Sequence, residues 1–127
     1  MGGEPSASIG FIQQALAPQP APTTFTIADL VVDTVRHKVI RNRQAIDLTR
    51  TEYQLLELLA QNSPRVVSRS TLIEGIWRKY REVTPGALDV LVNSLRGKLD
   101  APFTMKLLHT LRGSGYLLTG DIRKQLK

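Results

Sequence analysis

The chain has 127 residues, a formal net charge of +6 and no cysteine. This length is enough for one domain with its own hydrophobic core, and the absence of cysteine excludes disulfides, thiolate metal sites and thiol nucleophiles. The apolar runs are far too short to cross a membrane, and the first residues lack the basic start and apolar core of a secretory signal. We therefore expect a single cytoplasmic domain that does not insert into membranes.

The charge is unevenly distributed along the chain. Residues 1–24 contain one acid, Glu4, and no lysine or arginine, so the remainder carries 17 basic and 10 acidic residues, a net charge of +7. A basic compact domain favours polyanions, and nucleic acid is the commonest polyanion inside cells. Charge alone does not separate such a domain from a basic domain that binds nothing specific.

The first residues predict no folded unit of their own. Residues 17–24, APQPAPTT, have the composition of an extended linker, and the helical spacing of apolar residues in 9–16 covers only one or two turns, too few for a stable isolated helix. We predict three regions: a linker or remnant of an upstream domain over 1–24, a folded domain over 25–121 and a basic tail over 122–127.

The folded region begins with short strand-like runs. FTIADLVVD (25–33), HKVIRN (37–42) and QAIDLT (44–49) are separated at short intervals by breaks rich in Asp, Asn or Arg. This pattern predicts an antiparallel meander.

Helical patterns follow. Thr49 and Glu52 form a T-x-x-E capping box at the start of a first amphipathic helix, which the sequence Asn-Ser-Pro ends. A second helix begins near Ser68 or Arg69. In TPGALDVLVNSLRGKLD (84–100), Thr84 is a candidate cap with Pro85 in the first turn, and Asp89 is a favourable partner for the helix dipole. One face of this third helix is predicted to be core: Leu88, Val92, Leu95 and Leu99.

The last pattern is a β-hairpin. In LLHTLRGSGYLL (107–118), two apolar runs flank a turn that begins at Arg112. An arginine at a hairpin tip is either a solvated charge or a group aimed at an anion. Helices joined by a short link and followed by a hairpin form a winged helix, whose last helix enters the DNA major groove. The arginine then suits the neighbouring minor groove, where a narrow groove has an enhanced negative potential.

The motifs IDLTRTEYQLLELLAQNSPRVVSRSTLIEGIW (46–77), LDVLVNSLRGKL (88–99) and HTLRGSGYLL (109–118) resemble the DNA-binding effector domain of OmpR/PhoB-type response regulators. The resemblance implies an α+β winged helix-turn-helix with an N-terminal four-stranded antiparallel sheet, three helices and a C-terminal β-hairpin wing. It implies sequence-specific binding of double-stranded DNA in a two-component system. It also implies a head-to-tail dimer on DNA, an upstream receiver domain in the full-length protein, and a loop that contacts RNA polymerase. The 24 residues before the folded region are too few for a receiver domain, so we expect either a fragment of a longer regulator or a free-standing effector.

The resemblance also assigns roles to individual residues. The wing arginine corresponds to Arg112, a phosphate contact to Thr110, and a contact with thymine methyl groups to Val90; the recognition helix is 85–99. The complete set of implied DNA contacts is Arg69, Val90, Asn93, Ser94, Arg96, Lys98, Thr110 and Arg112. The loop implied to contact RNA polymerase contains Arg78, Lys79, Tyr80 and Arg81, with a solvated turn as the alternative.

The recognition helix departs from the family pattern in one direction, toward fewer basic residues. Ser94 stands where a guanine-reading arginine is frequent, and Gly86, Leu91 and Gly97 replace residues that are often basic or histidine. A missing bidentate guanine contact forgoes roughly 1–3 kcal/mol of discrimination. The smaller number of basic residues on this helix leaves an alternative open, a winged-helix protein-interaction module with weak or no DNA binding.

Catalysis and metal binding find no support in the motifs. The sequence contains no phosphate-cradling glycine-rich loop, no nucleophile motif and no convergent carboxylate pair, so we predict no enzyme and no cofactor. Two histidines, His37 and His109, without any cysteine, do not suggest a metal site.

Overall fold

The computed structural model describes residues 23–77, 84 and 86–120. Within these residues the chain forms a four-stranded sheet, three helices and a two-stranded hairpin. In chain order they are β1 (Thr24–Ile27), β2 (Leu30–Asp33), β3 (Lys38–Arg41), β4 (Gln44–Ile46), α1 (Arg50–Asn62), α2 (Arg69–Ile76), α3 (Ala87–Leu99), β5 (Leu108–Leu111) and β6 (Gly115–Leu118).

The N-terminal sheet is the predicted antiparallel meander, with strand order β1-β2-β3-β4. The run expected as one strand over 25–33 is two strands, because Ala28 adopts a φ of 55° and the chain reverses so that Ile27 pairs with Leu30. Thr24, assigned to the linker from the sequence, begins β1.

Helix α1 starts and stops where local signals predict. The Thr49 hydroxyl accepts a hydrogen bond from Glu52 N at 3.2 Å, and Thr49 N donates to Glu52 Oε1 at 2.9 Å, which completes the capping box. The helix ends at Asn62, before Ser63 and Pro64. Helix α2 also begins as predicted, with Ser68 as its N-cap.

The start of α3 corrects the sequence-based prediction. The helix runs from Ala87 rather than from residue 85, and its N-cap is Gly86, whose φ is 91°. Thr84 contributes no side-chain cap and instead accepts a hydrogen bond from Ala87 N through its backbone carbonyl at 3.0 Å. A left-handed residue is tolerated best at glycine, so the turn at Gly86 moves the helix start; Pro85 lies outside the described residues.

Apolar faces of the sheet, the helices and the hairpin share one core. The predicted face of α3 is buried, and it packs with leucines of α1, α2 and β6. The fully buried members include Leu30, Leu55, Leu56, Leu59, Leu72, Leu95, Leu99, Leu107 and Leu118.

One charged side chain in this core is fully buried. Arg41 of β3 is 0% exposed, and its guanidinium donates to Asp29 at 3.0 Å, to Asp100 at 2.8 Å and to the Leu99 carbonyl at 2.7 Å. The guanidinium also lies over the Phe103 ring, 4.5 Å from the ring centre. The arginine thus joins the N-terminal sheet to the C-terminal end of α3.

The C-terminal hairpin, β5 and β6, is called the wing below. Gly113 at its turn has a φ of 79°, a conformation that favours glycine. Gly115 is needed for a different reason, since a Cβ atom there would lie 2.1 Å from the Val67 carbonyl oxygen. Val67 and Tyr116 exchange backbone hydrogen bonds of 2.8 and 3.0 Å, so the wing is fixed to the segment that precedes α2. No helix in the described part of the chain combines the length and the apolarity that a membrane crossing requires.

Candidate nucleic-acid interface

Helix α3 divides its side chains between the core and solvent as the sequence predicts. Leu88, Val92 and Leu95 are buried. Val90 is 70% exposed and Asn93 is also exposed. An exposed apolar side chain beside a polar one on the same helix is suited to the edges of bases. In the major groove thymine presents a methyl group, and adenine presents a hydrogen-bond acceptor next to a donor.

Arg112 lies at the exposed tip of the wing. In the part of the chain that the structure describes, its guanidinium has no hydrogen-bond or ion-pair partner, so its charge is available to an external anion. Arg112 shares a cavity of about 750 Å³ with Arg69 and Thr110. The same cavity is lined by Ser68 and Ser70, at the N-terminus of α2, where backbone N–H groups favour anions such as phosphate.

Arg69 is held by an acid on the neighbouring helix. Its Nη1 atom donates to Asp89 Oδ1 at 2.6 Å and to the Tyr116 hydroxyl at 3.0 Å, and this hydroxyl donates to Asp89 Oδ1 at 2.7 Å. The hydrogen bonds from Arg69 and Tyr116 hold the pKa of Asp89 below its ordinary range. Asp89 therefore joins α3 to α2 and the wing, in addition to its favourable place near the helix N-terminus.

Two of the other predicted DNA contacts bind each other. Arg96 of α3 donates from Nη2 to the Thr110 hydroxyl at 2.8 Å and from Nε to the Leu108 carbonyl at 3.2 Å. These bonds set the distance between α3 and β5. Arg96 and Thr110 line a second cavity of about 570 Å³ together with Asn93.

The remaining two predicted contacts on α3 lie against α1. Ser94 donates from its hydroxyl to Glu52 Oε2, and Lys98 Nζ donates to Glu52 Oε1 at 2.7 Å. Both side chains are exposed, whereas Glu52 is 3% exposed.

The described residues thus bring five of the eight predicted contacts to two cavities that share Thr110: Arg69, Asn93, Arg96, Thr110 and Arg112. Ser94 and Lys98 lie against Glu52 of α1, and Val90 is exposed on α3. Arg112 lacks an internal partner among the described residues, while Arg69, Arg96 and Lys98 each have one. Residues 78–81, the predicted polymerase-contacting loop, lie outside the described residues.

Sequence reasoning missed several members of this region. Ser70 lines the cavity beside Arg112, and Lys106 lines the cavity beside Arg96. The position of Ser70 in the first turn of a predicted helix was an available signal, because helix N-termini bind phosphate. Lys106 carries no comparable signal, since it lies in an irregular segment that only the fold places next to α3.

Comparison with known proteins identifies the family. A profile described as "Transcriptional regulatory protein, C terminal" matches residues 42–118. The chain belongs to this family. The transcriptional regulatory protein PcoR of Escherichia coli is 45% identical over 105 residues, which cover 83% of this chain and 46% of PcoR. The chain therefore spans less than half the length of this relative.

Solved structures agree with the winged-helix prediction. The DNA-binding domain of CpxR from E. coli has a TM-score of 0.66 at 32% identity, covering 81% of this chain and 100% of that domain. The DNA-binding domain of the response regulator AdeR, solved in complex with an intercistronic region, has a TM-score of 0.67 at 25% identity, covering 76% of this chain and 99% of that domain. The predicted fold and the resemblance to response-regulator effector domains are confirmed.

Proposed function

We propose that this domain binds double-stranded DNA as the effector domain of a transcriptional response regulator. Helix α3 is the recognition helix and enters the major groove, where Val90 and Asn93 face base edges. The wing reaches the adjacent minor groove with Arg112, and the N-terminus of α2 binds backbone phosphate together with Arg69.

The observation that carries this proposal is the Arg112 guanidinium at the wing tip, which has no partner among residues 23–77, 84 and 86–120, next to a helix that exposes Val90. An arginine without an internal partner loses no protein contact when it enters a groove, and the potential of a narrow minor groove favours it over water. Arg112 and the exposed face of α3 belong to a domain whose folded part has a net positive charge, which favours approach to DNA.

A second function, docking to another protein, is favoured by a specific observation. Arg69, Arg96 and Lys98 already have internal partners, so fewer cations are free than the sequence suggests. A surface on which only one of the four predicted cationic contacts lacks a partner among the described residues is suited to a protein as well as to DNA.

Salt dependence separates the two functions. Fluorescence anisotropy of a labelled duplex, measured over a range of NaCl concentrations, is expected to give a log–log slope of roughly −4 to −7 per monomer, because several Lys and Arg side chains displace condensed counterions. Binding that does not respond to salt, or no binding at low salt, favours the protein-docking function.

The wing contact has its own test. Arg112→Ala is expected to weaken duplex binding by about 1–2 kcal/mol, most on A/T-rich flanks where the minor groove is narrow. Arg36→Ala is the matched control, since it removes the same charge from an exposed turn of the N-terminal sheet. If the Arg112 variant binds A/T-flanked duplexes as tightly as the control does, the tip arginine is only a solvated charge.

The rest of the protein follows from its relatives. We place a receiver domain upstream of the linker, because the chain corresponds to less than half of PcoR. On direct-repeat half-sites one helical turn apart, we expect two copies of the domain to bind head to tail. Residues 78–81, between α2 and α3, are our candidate contact with RNA polymerase.

A further inference from the structure

We propose that Glu52 restrains the DNA affinity of the recognition helix by retaining the Lys98 ammonium and the Ser94 hydroxyl in contacts within the domain. The inference rests on the proposed DNA binding and deepens it, since it separates the cations of α3 that are available to phosphate from those that are not. Glu52 lies on α1 and is 3% exposed, so it acts on DNA only through these two neighbours.

Both oxygens of the Glu52 carboxylate are occupied. Oε1 accepts from Lys98 Nζ at 2.7 Å and from Thr49 N at 2.9 Å, and Oε2 accepts from the Ser94 hydroxyl. Ser94 and Lys98 are four residues apart on α3, and side chains at this spacing share a helix face. One carboxylate therefore reaches both of them.

The carboxylate remains charged at every physiological pH. Burial raises the pKa of Glu52, but hydrogen bonds from Lys98, Ser94 and Thr49 outweigh this effect and lower it from 4.5 to about 2. A buried charge that loses its partner is strongly destabilising. If Lys98 moves to a phosphate, the buried Glu52 carboxylate keeps only two neutral donors, Thr49 N and the Ser94 hydroxyl. The free energy lost at Glu52 then cancels most of the free energy gained at the phosphate.

The depth of the acid distinguishes this pair from the Arg69 pair. The side chain of Glu52 is 4% exposed, whereas that of Asp89 is 51% exposed. Water can take the place of Arg69 at Asp89, because an exposed ion pair contributes little. Arg69 is therefore free to exchange Asp89 for a phosphate, while Lys98 is retained.

The test uses the salt dependence of binding to a nonspecific duplex. Glu52→Gln preserves the shape of the side chain and a hydrogen-bond partner for Ser94, but it releases the Lys98 charge. We expect its log–log slope to steepen by about 0.9, the value for one additional neutralised phosphate, which makes binding about eightfold tighter at 0.1 M salt. Adding Lys98→Met to this variant is expected to restore the parental slope.

Three further variants serve as controls. Lys98→Met alone is expected to change the slope no more than Lys38→Met does. The Lys38 variant removes the same charge from an exposed position on β3. Ser94→Ala keeps the ion pair and is expected to leave the slope unchanged. Circular dichroism at the binding temperature establishes whether each variant is folded. If Glu52→Gln is unfolded, the slopes of Lys98→Met and Lys38→Met decide whether Lys98 contacts phosphate in the parent.

The outcomes separate this inference from the proposed function. If the parent does not bind duplex DNA even at low salt, the proposed function fails. If the parent binds but Glu52→Gln has the parental slope, the restraint by Glu52 is wrong, because releasing Lys98 adds no phosphate contact. If Lys98→Met alone reduces the slope by about 0.9 relative to Lys38→Met, Lys98 already contacts phosphate in the parent and the restraint is again wrong.

Discussion

The replacement of Arg41 by Met tests how the sheet is joined to the DNA-binding part of the domain. The variant keeps the long aliphatic stem and loses the guanidinium, together with its hydrogen bonds to Asp29, to the Leu99 carbonyl and to Asp100. Asp100 is 2% exposed, and among the described residues its carboxylate then keeps only the backbone N–H donors of Leu107 and Leu108. Removal of one partner from a buried ion pair costs about 3–5 kcal/mol.

This loss is large beside the stability of a domain, which is about 5–15 kcal/mol. The expected decrease in melting temperature is at least about 12 °C, since each kcal/mol corresponds to about 4–8 °C in a domain of this size. Circular dichroism melts and urea unfolding measure it, with Lys38→Met as the control from the exposed side of the same strand, expected within about 0.5 kcal/mol of the parent.

A double variant isolates the buried charge. Arg41→Met combined with Asp100→Asn removes the uncompensated carboxylate, so it is expected to be more stable than Arg41→Met alone. Two results would refute the account of Arg41 as half of a necessary buried pair. One is a free energy of unfolding for Arg41→Met within about 1 kcal/mol of the parental value. The other is a double variant that is less stable than Arg41→Met alone.

Four further outcomes are expected. Leu95→Ala truncates a side chain that is 0% exposed and should lose about 2–5 kcal/mol of unfolding free energy. The variant should still bind duplex DNA at temperatures where it is folded. Tyr116→Phe should lose about 1 kcal/mol of unfolding free energy, because it removes the hydrogen bonds of the Tyr116 hydroxyl with Asp89 and Arg69. Acid should reduce stability as pH falls from about 5 toward 2. Glu52 has a folded pKa of about 2 and an ordinary value of 4.5, so its contribution of about 3 kcal/mol is present above that range and lost within it. Glu52→Gln should show a flatter profile of stability against pH. Sedimentation should find the domain monomeric alone and paired only on duplexes with two direct-repeat half-sites; a stable dimer without DNA would contradict this.

Local signals account for most of the fold. The Thr49–Glu52 capping box and the Asn62-Ser63-Pro64 stop bound α1 correctly, and the apolar spacing of α3 identifies its buried face. Such signals act within one or two helical turns, so they are legible without knowledge of the fold. The same locality explains the error at α3, where Thr84 offers a plausible cap but the left-handed turn at Gly86 sets the start of the helix.

The sequence by itself determined the winged-helix class and the buried and exposed faces of its helices, because helical and strand periodicities assign each residue to a face. The individual DNA contacts were implied by the family resemblance and stay predictions. It placed Arg41 in a strand-like run without assigning a partner to its charge, and only the tertiary structure buries that residue against a carbonyl 58 positions away. It counted Lys98 and Arg112 as equal cations, and only the tertiary structure pairs the first with a buried carboxylate and leaves the second unpaired among the described residues. The reason is physical: a face follows from the repeat of one element, but a charge is free or neutralised according to which distant acid the packing of other elements brings within hydrogen-bond distance.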